Sequence, residues 1–144
     1  MAKVTVVFHS YRGVTEKLVE AFKGGVKKAG GDCRILKAVD ARPEDLLEAD
    51  VIVFASGKPF GTLSGPLKTF IELCWIYDKK DSFAGKQYAT IINGSRDNAQ
   101  DVTAFMDSIL PYFKLVKAAE GISCLAEDAD KVLISCEQLG EKLA

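Results

Sequence analysis

The sequence predicts an α/β protein in which a doubly wound, five-stranded parallel sheet forms the middle of three layers. Two observations predict it: apolar, β-branched runs alternate with helical periodicity along all 144 residues, and no repeat or Pro/Gly/Ser-rich linker interrupts the alternation. Strict alternation with right-handed crossovers favours the strand order 2-1-3-4-5. We expect residues 1–144 to form one domain, because this length suits a single core.

Five short runs are nearly continuously apolar, which is typical of parallel strands that are covered on both faces. The predicted strands are Lys3–Phe8, Cys33–Lys37, Val51–Ala55, Tyr88–Ile92 and Leu115–Ser123.

Between these runs, apolar residues recur at spacings of three and four, which predicts amphipathic helices. The first predicted helix carries its apolar stripe from Val14 to Ala29 and ends at Gly30-Gly31. A short helix is predicted at Pro43–Leu47.

Three more helices are predicted in the second half of the chain. One begins near Ser64, whose hydroxyl we expect to cap it. The next is predicted to end or bend at Pro111, and the last to run from Asp128 to Leu143. The helix before Pro111 is predicted to bury Val102, Phe105, Met106, Ile109 and Phe113.

Composition narrows the function classes. A net charge of −1 and a pI near 5.9 argue against a nucleic-acid surface. No apolar stretch approaches the roughly 20 residues that span a bilayer, and Met1-Ala2-Lys3 leads directly into the first strand, so we expect a cytoplasmic protein. The four cysteines are widely spaced and form no C-x-x-C pair, so neither a metal site nor a redox pair is indicated.

Ligands of such a sheet bind beyond the carboxyl ends of the strands, at the switch point between the first and third strands. That rule selects the loops 9–15, 56–64 and 93–98 as the candidate site. These loops hold no acidic pair of a phosphoacceptor domain, and the chain has neither G-x-G-x-x-G nor G-x-x-x-x-G-K-[ST]. A dinucleotide-binding site of the Rossmann type and an ATPase loop are therefore unsupported.

The first loop has the composition of a phosphate cradle. Hydroxyls, a guanidinium and the open N–H groups of a helix N-terminus all donate hydrogen bonds to an anion, and a glycine allows close backbone approach. Helix capping alone is an alternative explanation of the same residue types. The candidate phosphate-binding residues are Ser10, Tyr11, Arg12, Gly13, Val14 and Thr15.

The spacing Ser-x-x-Gly-x-Thr of this loop resembles the FMN-phosphate loop of flavodoxin-like proteins, although Arg12 stands where those loops usually have Thr. The run Phe60-Gly61-Thr62-Leu63-Ser64-Gly65, followed by a helix with Lys68 and Phe70, resembles the flavin-contacting segment of the Trp-repressor-binding-protein family. Members of that family are flavodoxin-like NAD(P)H:quinone oxidoreductases. The resemblance covers nearly the whole chain and implies FMN as cofactor.

The second and third loops are then expected to contact the flavin ring. A flat apolar wall with backbone polar groups suits an isoalloxazine, and the resemblance places the third loop at its pyrimidine edge. Turn formation and capping are an alternative explanation here as well. The candidate ring-binding residues are Pro59, Phe60, Gly61 and Thr62 in the second loop and Asn93, Gly94, Ser95 and Arg96 in the third.

The preferred hypothesis is an FMN-binding oxidoreductase that passes electrons from NAD(P)H to a quinone or similar small acceptor. No side chain is assigned a catalytic role. The alternatives are a flavodoxin-type electron carrier that docks to a redox protein, and a flavin-free binding module. Carriers are typically acidic around the flavin, whereas these loops carry Arg12, Lys58 and Arg96. A homo-oligomer is left open, because the resembling oxidoreductases complete their substrate pockets with neighbouring subunits.

Overall fold

A computed structural model, which describes residues 1–144, contains one parallel sheet with the strand order β2-β1-β3-β4-β5, and β6 also pairs with β4. This confirms the predicted fold class and strand order. The strands are β1 (Lys3–His9), β2 (Asp32–Lys37), β3 (Val51–Ser56), β4 (Gln87–Gly94), β5 (Val116–Lys117) and β6 (Ile122–Leu125).

Four α-helices connect or follow these strands: α1 (Val14–Lys28), α2 (Gly65–Tyr77), α3 (Gln100–Ile109) and α4 (Leu133–Leu143). Short 3-10 helices lie at Pro43–Leu46, Pro59–Gly61, Leu110–Phe113 and Ala126–Val132. Pro111 lies in the 3-10 helix where α3 ends, as predicted. The predicted last helix is instead two elements, since its first residues form a 3-10 helix before α4 begins. None of the helices combines the length and the apolar character that crossing a membrane requires.

The sheet separates two apolar cores. Val6 of β1 packs with α1 and α4 on one face, and its neighbour Val7 packs with α2 and α3 on the other. This alternation follows from the two-residue repeat of a strand, and it explains why both faces of β1 and β3 are apolar.

The predicted fifth strand is wrong as a single run. Val116–Lys117 pairs with the start of β4 and Ile122–Leu125 pairs with its end, and the chain leaves the sheet between them. It returns at Gly121, where a Cβ atom would lie 2.8 Å from the carbonyl oxygen of Thr90. The intervening Ala118, Ala119 and Glu120 lack the β-branched side chains that favour a strand.

Two smaller predictions are also corrected. Phe105 is 41% exposed, because Val102 and Met106 take the buried stripe of α3. Strand β4 continues through Asn93 and Gly94, which were predicted as loop residues. Both therefore belong to the rigid sheet at the candidate site.

Helices α1 and α4 approach each other closely at two glycines. A Cβ atom on Gly25 would overlap the carbonyl oxygen of Glu137 and lie 2.7 Å from its carbonyl carbon. A Cβ atom on Gly140 would overlap the carbonyl oxygen of Phe22 and lie 2.9 Å from the amide nitrogen of Val26. The absence of side chains at these two positions sets the distance between the helices.

Candidate functional site

The three candidate loops meet at the carboxyl edge of the sheet. His9 at the end of β1 pairs with Ser56 at the end of β3, and Ser56 pairs with Ile92 near the end of β4. Since β1 lies between β2 and β3, this edge contains the switch point of the fold.

The first loop closes through a local hydrogen bond. The Ser10 hydroxyl oxygen accepts from the Gly13 amide at 2.9 Å, and Gly13 takes φ +87° in the left-handed region, which favours glycine. Gly13 is the N-cap of α1 and offers no side-chain cap, so the first N–H groups of α1 stay open. No atom lies within 4 Å of the position where a Cβ of Gly13 would stand. The loop is therefore an open anion cradle.

Arg12 and Tyr11 lie on the outside of this cradle. Arg12 is exposed and forms no ion pair or hydrogen bond within the chain, so its guanidinium is free for an anion. Tyr11 is exposed too, and its ring meets the edge of the His9 imidazole with centroids 4.2 Å apart. Val14 is half-buried at the first turn of α1.

A buried hydrogen bond joins the first and third loops. The Asn93 side-chain amide donates to the Thr15 hydroxyl oxygen at 2.7 Å and, more weakly, to the Ser56 carbonyl at 3.4 Å. Thr15 and Asn93 are both buried. The amide nitrogen of Asn93 therefore supports Thr15 under the cradle. The Thr15 hydroxyl keeps its proton for a ligand.

Ser56 fastens the second loop at both ends. Its fully buried hydroxyl donates to the Gly57 carbonyl at 2.6 Å and accepts from the Ser64 amide at 3.2 Å. Sequence reasoning missed Ser56 as a site residue. A serine that ends a run of five buried apolar residues was the available signal, because a buried hydroxyl must find partners.

The tip of the second loop is strained and fully exposed. Phe60 has φ +54°, which is unusual for a bulky residue, and Gly61 follows with φ +82°. The Phe60 ring has no cover from the rest of the chain, with a relative exposure of 105%. The Thr62 hydroxyl donates to the Leu63 carbonyl at 3.2 Å. Of the flat apolar wall predicted from Pro59 and Phe60, the Phe60 ring thus projects into solvent, whereas Pro59 is half-buried.

The prediction that the Ser64 hydroxyl caps α2 is wrong. This hydroxyl is buried and has no hydrogen-bond partner, and α2 begins with Pro66 in its first turn instead. The Nδ1 atom of His9 is the other buried polar side-chain atom without a partner. Both orphaned atoms belong to residues that flank the carboxyl edge of the sheet.

Burial lowers the pKa of His9 below its ordinary value of 6.5. Because the unfolded chain then binds a proton more readily than the folded protein, stability is expected to fall as the pH drops through 6.5. His9 is the only histidine, so an NMR titration of its ring protons in ligand-free protein reports this pKa directly. A midpoint at or above 6.5 would contradict the prediction, and His9→Gln should remove the contribution of this residue to the pH dependence of stability.

The third loop is short and charged. Gly94 is required, because a Cβ atom there would lie 3.2 Å from a carboxylate oxygen of Asp97 and overlap its carbonyl oxygen. Ser95 and Arg96 are exposed, and Arg96 forms no ion pair within the chain. Lys58 from the second loop pairs with both Asp97 and Asp101 at 2.8 Å. The positive charge that the sequence assigned to Lys58 is therefore neutralised.

Comparison with known proteins identifies the family. The family model described as NADPH-dependent FMN reductase matches residues 37–130, from the end of β2 through β6 and including the second and third loops. This chain belongs to that family. The description confirms FMN as the cofactor and an NAD(P)H-dependent flavin oxidoreductase as the class, and it confirms the resemblance found in the sequence.

Individual relatives agree with this assignment. The chain is similar to an NAD(P)H dehydrogenase (quinone) of Archaeoglobus fulgidus, with 25% identity over 138 residues that cover 78% of this chain and 72% of the relative. Among solved structures, the chain is similar to a flavodoxin from the domain Archaea, with a TM-score of 0.83 and 21% identity. The match covers 99% of this chain and 96% of the flavodoxin chain. The chain is also similar to a flavodoxin, WrbA-like protein, from Agrobacterium tumefaciens, with a TM-score of 0.79 and 20% identity. That match covers 99% of this chain and 95% of the other. The two structures support the fold.

The residues at the carboxyl edge fit FMN in both of its parts. The open N–H groups of α1, the free guanidinium of Arg12 and the hydroxyl of Thr15 match a phosphate. In the second loop, the exposed Phe60 ring and the open space beside Gly61 suit a planar ring.

Proposed function

We propose that this chain is an FMN-dependent oxidoreductase that takes electrons from NAD(P)H and delivers them to a quinone or similar small acceptor. The observation that carries the proposal is the open, uncapped N-terminus of α1 beside an unpaired Arg12, at the same sheet edge as the exposed Phe60 turn. Family membership supports the nicotinamide and FMN, and the name of the Archaeoglobus relative supports a quinone.

The proposed phosphate site is the first loop. The N–H groups of Val14 and Thr15, the Arg12 guanidinium and the hydroxyls of Ser10 and Thr15 hold the phosphate, while Gly13 gives it access. Tyr11 shields this end of the cofactor. The bound phosphate carries a charge of about −1.5 to −2, which both the helix dipole and Arg12 stabilise.

The proposed ring site lies between the second and third loops. Pro59, Phe60, Gly61 and Thr62 border the ring, and Gly94, Ser95 and Arg96 border its pyrimidine end, with Asn93 supporting Thr15 from below. Bound FMN supplies the hydride and electron chemistry, so the protein needs no catalytic side chain of its own. The role of these residues is to orient the ring, to exclude water from one of its faces and to set the local charge.

An electron carrier is the second candidate, and one observation favours it. The pairing of Lys58 with Asp97 and Asp101 leaves the loops less positive than the sequence indicated. A carrier would exchange electrons with a redox protein and would not react rapidly with a nicotinamide. The two candidates also differ in assembly, since we propose that a neighbouring subunit completes the acceptor site of the oxidoreductase.

One experiment separates these functions. FMN is added to the ligand-free protein while quenching of flavin fluorescence is followed, and NADPH or NADH is then added without oxygen. Rapid bleaching of the flavin absorbance, reversed by a soluble quinone, is the expected result. Binding without bleaching would favour the carrier, and failure to bind FMN would leave a flavin-free binding module. Light scattering on the same samples gives the oligomeric state.

Replacement of Phe60 by glycine is expected to stabilise the ligand-free protein by about 1 kcal/mol and to weaken FMN binding by roughly threefold to tenfold. Glycine relieves the left-handed strain, and no buried contact is lost because the ring is fully exposed. The binding loss reflects the missing aromatic contact. Urea unfolding and fluorescence titration measure the two effects.

Lys114→Gly is the matched control. Lys114 has φ +57° and is also exposed, but it lies beyond the 3-10 helix after α3. Lys114→Gly should relieve the same backbone strain and leave FMN affinity unchanged, but its gain in stability should be smaller because it also removes the exposed ion pair between Lys114 and Asp81. Equal affinity of the Phe60 variant and the parent protein would show that the turn does not contact the ring.

A further inference from the structure

A three-residue charge bridge spans the second and third loops. The Lys58 ammonium donates to both carboxylate oxygens of Asp97, at 2.9 and 2.8 Å, and lies 2.8 Å from a carboxylate oxygen of Asp101. Lys58 and Asp97 are 39 residues apart in sequence. The bridge therefore joins segments that are brought together only by the order of the strands.

This bridge differs from the other ion pairs in its burial. The Lys58 side chain is 8% exposed, whereas the lysines of the other pairs are at least 33% exposed. Lys28 also pairs with two carboxylates, those of Glu137 and Glu141, but its side chain is 68% exposed. A lysine whose stem is covered and whose ammonium has two fixed partners is held in one conformation.

The bridge is attached to two unusual backbone segments. Lys58 directly precedes the Pro59–Gly61 turn with its left-handed Phe60. On the other side, Asp97 accepts from the Ala99 amide at 2.9 Å, and Ala99 is the left-handed N-cap of α3. Asp101 lies in the first turn of the same helix. The covered lysine thus connects the strained turn to the start of α3.

We propose that Lys58 is a positioning residue that holds the Pro59–Gly61 turn against the third loop and balances the charge of Asp97 and Asp101 beside the flavin site. This inference rests on the proposed FMN site. The hydrogen bonds that Lys58 donates to Asp101 and Asp97 raise the pKa of Lys58 and lower the pKa of each carboxyl group, so all three groups stay charged near neutral pH. Without Lys58, two uncompensated negative charges would face the ring.

The positioning role and the charge-balancing role of Lys58 can be separated by two measurements, FMN affinity and the midpoint potential of bound FMN. Lys58→Met breaks the bridge and Asp97→Asn weakens it by removing one of its two carboxylates. Both are therefore expected to weaken FMN binding, by up to about threefold to tenfold. Their effects on the midpoint potential of bound FMN are opposite. Addition of electrons makes the flavin more negative, so Lys58→Met shifts the potential downward and Asp97→Asn shifts it upward. If Lys58 had only a structural role, the midpoint potentials of the two variants would shift in the same direction or would not shift.

The experiment compares Lys58→Met, Asp97→Asn and the matched control Lys28→Met, which removes a lysine with two carboxylate partners at the far end of α1. FMN affinity and midpoint potential are measured for each. Hydrogen exchange of residues 57–62 and 95–99 is measured without FMN, where both bridge variants should exchange faster and Lys28→Met should match the parent protein.

Parental exchange rates in Lys58→Met would overturn the positioning role, even for a protein that fails to bind FMN. Potentials that shift in the same direction in both bridge variants would overturn the charge-balancing role. Lack of FMN binding by the parent protein would refute the proposed function, whereas the exchange data would still test the bridge. The two failures are therefore distinguishable.

Discussion

Replacement of Arg12 by alanine together with Thr15 by valine is expected to weaken FMN binding by at least about 100-fold. Hydrogen bonds to a charged group contribute about 1.5–3 kcal/mol each, and 1.4 kcal/mol corresponds to a factor of ten in affinity. Arg12 has no partner in the ligand-free chain, so its removal costs the fold little. Fluorescence titration with FMN measures the loss.

The Thr15 half of this prediction has a second physical cause. Thr15 accepts the 2.7 Å hydrogen bond from Asn93, and valine would leave that buried amide with only the 3.4 Å bond to Ser56. Thr15→Ser keeps the hydroxyl and should retain most of the affinity. Arg12→Lys keeps the charge but loses the paired donors of a guanidinium, so it should lie between the parent protein and the double variant.

Riboflavin provides the control for the phosphate itself. It carries the same ring without the phosphate, so the double variant should bind riboflavin as the parent protein does. The parental affinity for FMN should decrease with added salt, because the attraction is electrostatic, and this dependence should be smaller in the variant. An equal loss for riboflavin and FMN would show that the variant has damaged the fold, and unchanged FMN affinity would place the phosphate elsewhere.

The sequence predicted the sheet because its signals are local. The apolar runs of β1 and β3 are buried on both faces, and the stripe of α1 from Val14 to Val26 is continuous. These patterns reflect the burial of each segment, and strict alternation with right-handed crossovers then favours the observed strand order. The edge strand was the exception, since an edge position tolerates a break: there, β5 and β6 pair on one side only.

The sequence predicted that the three loops meet at one edge of the sheet, and it did not predict which of their side chains contact each other. The three loops follow from the rule for parallel sheets, and the match to the family covers the second and third of them. The hydrogen bond between Asn93 and Thr15 joins residues 78 apart, and the Lys58 bridge joins residues 39 apart. Such pairs depend on how two loops come together in space. A single sequence shows the donors and acceptors without showing which of them meet.

A single sequence also does not show that α1 and α4 approach each other closely at Gly25, and a substitution at this position is expected to have a large effect on stability. Gly25→Ala is expected to lower the free energy of unfolding by about 3 kcal/mol or more, because the added methyl group would overlap the backbone of Glu137. A helix backbone cannot move aside as a flexible side chain can. The neighbouring Gly24 is exposed with no atom within 4 Å of its would-be Cβ, so Gly24→Ala should stabilise the protein by about 0.5–1 kcal/mol.

Urea unfolding of the two alanine variants measures whether the free energy of unfolding falls in Gly25→Ala and rises in Gly24→Ala. The contact also bears on function, because α1 carries the phosphate cradle at its N-terminus. If Gly25→Ala folds by tilting α1 away from α4, the open N–H groups move relative to Asn93 and Ser56, and FMN affinity should fall while Gly24→Ala leaves it unchanged. Similar stabilities for both variants would mean that the helices separate without cost, and the close approach would then have no role in placing the cradle.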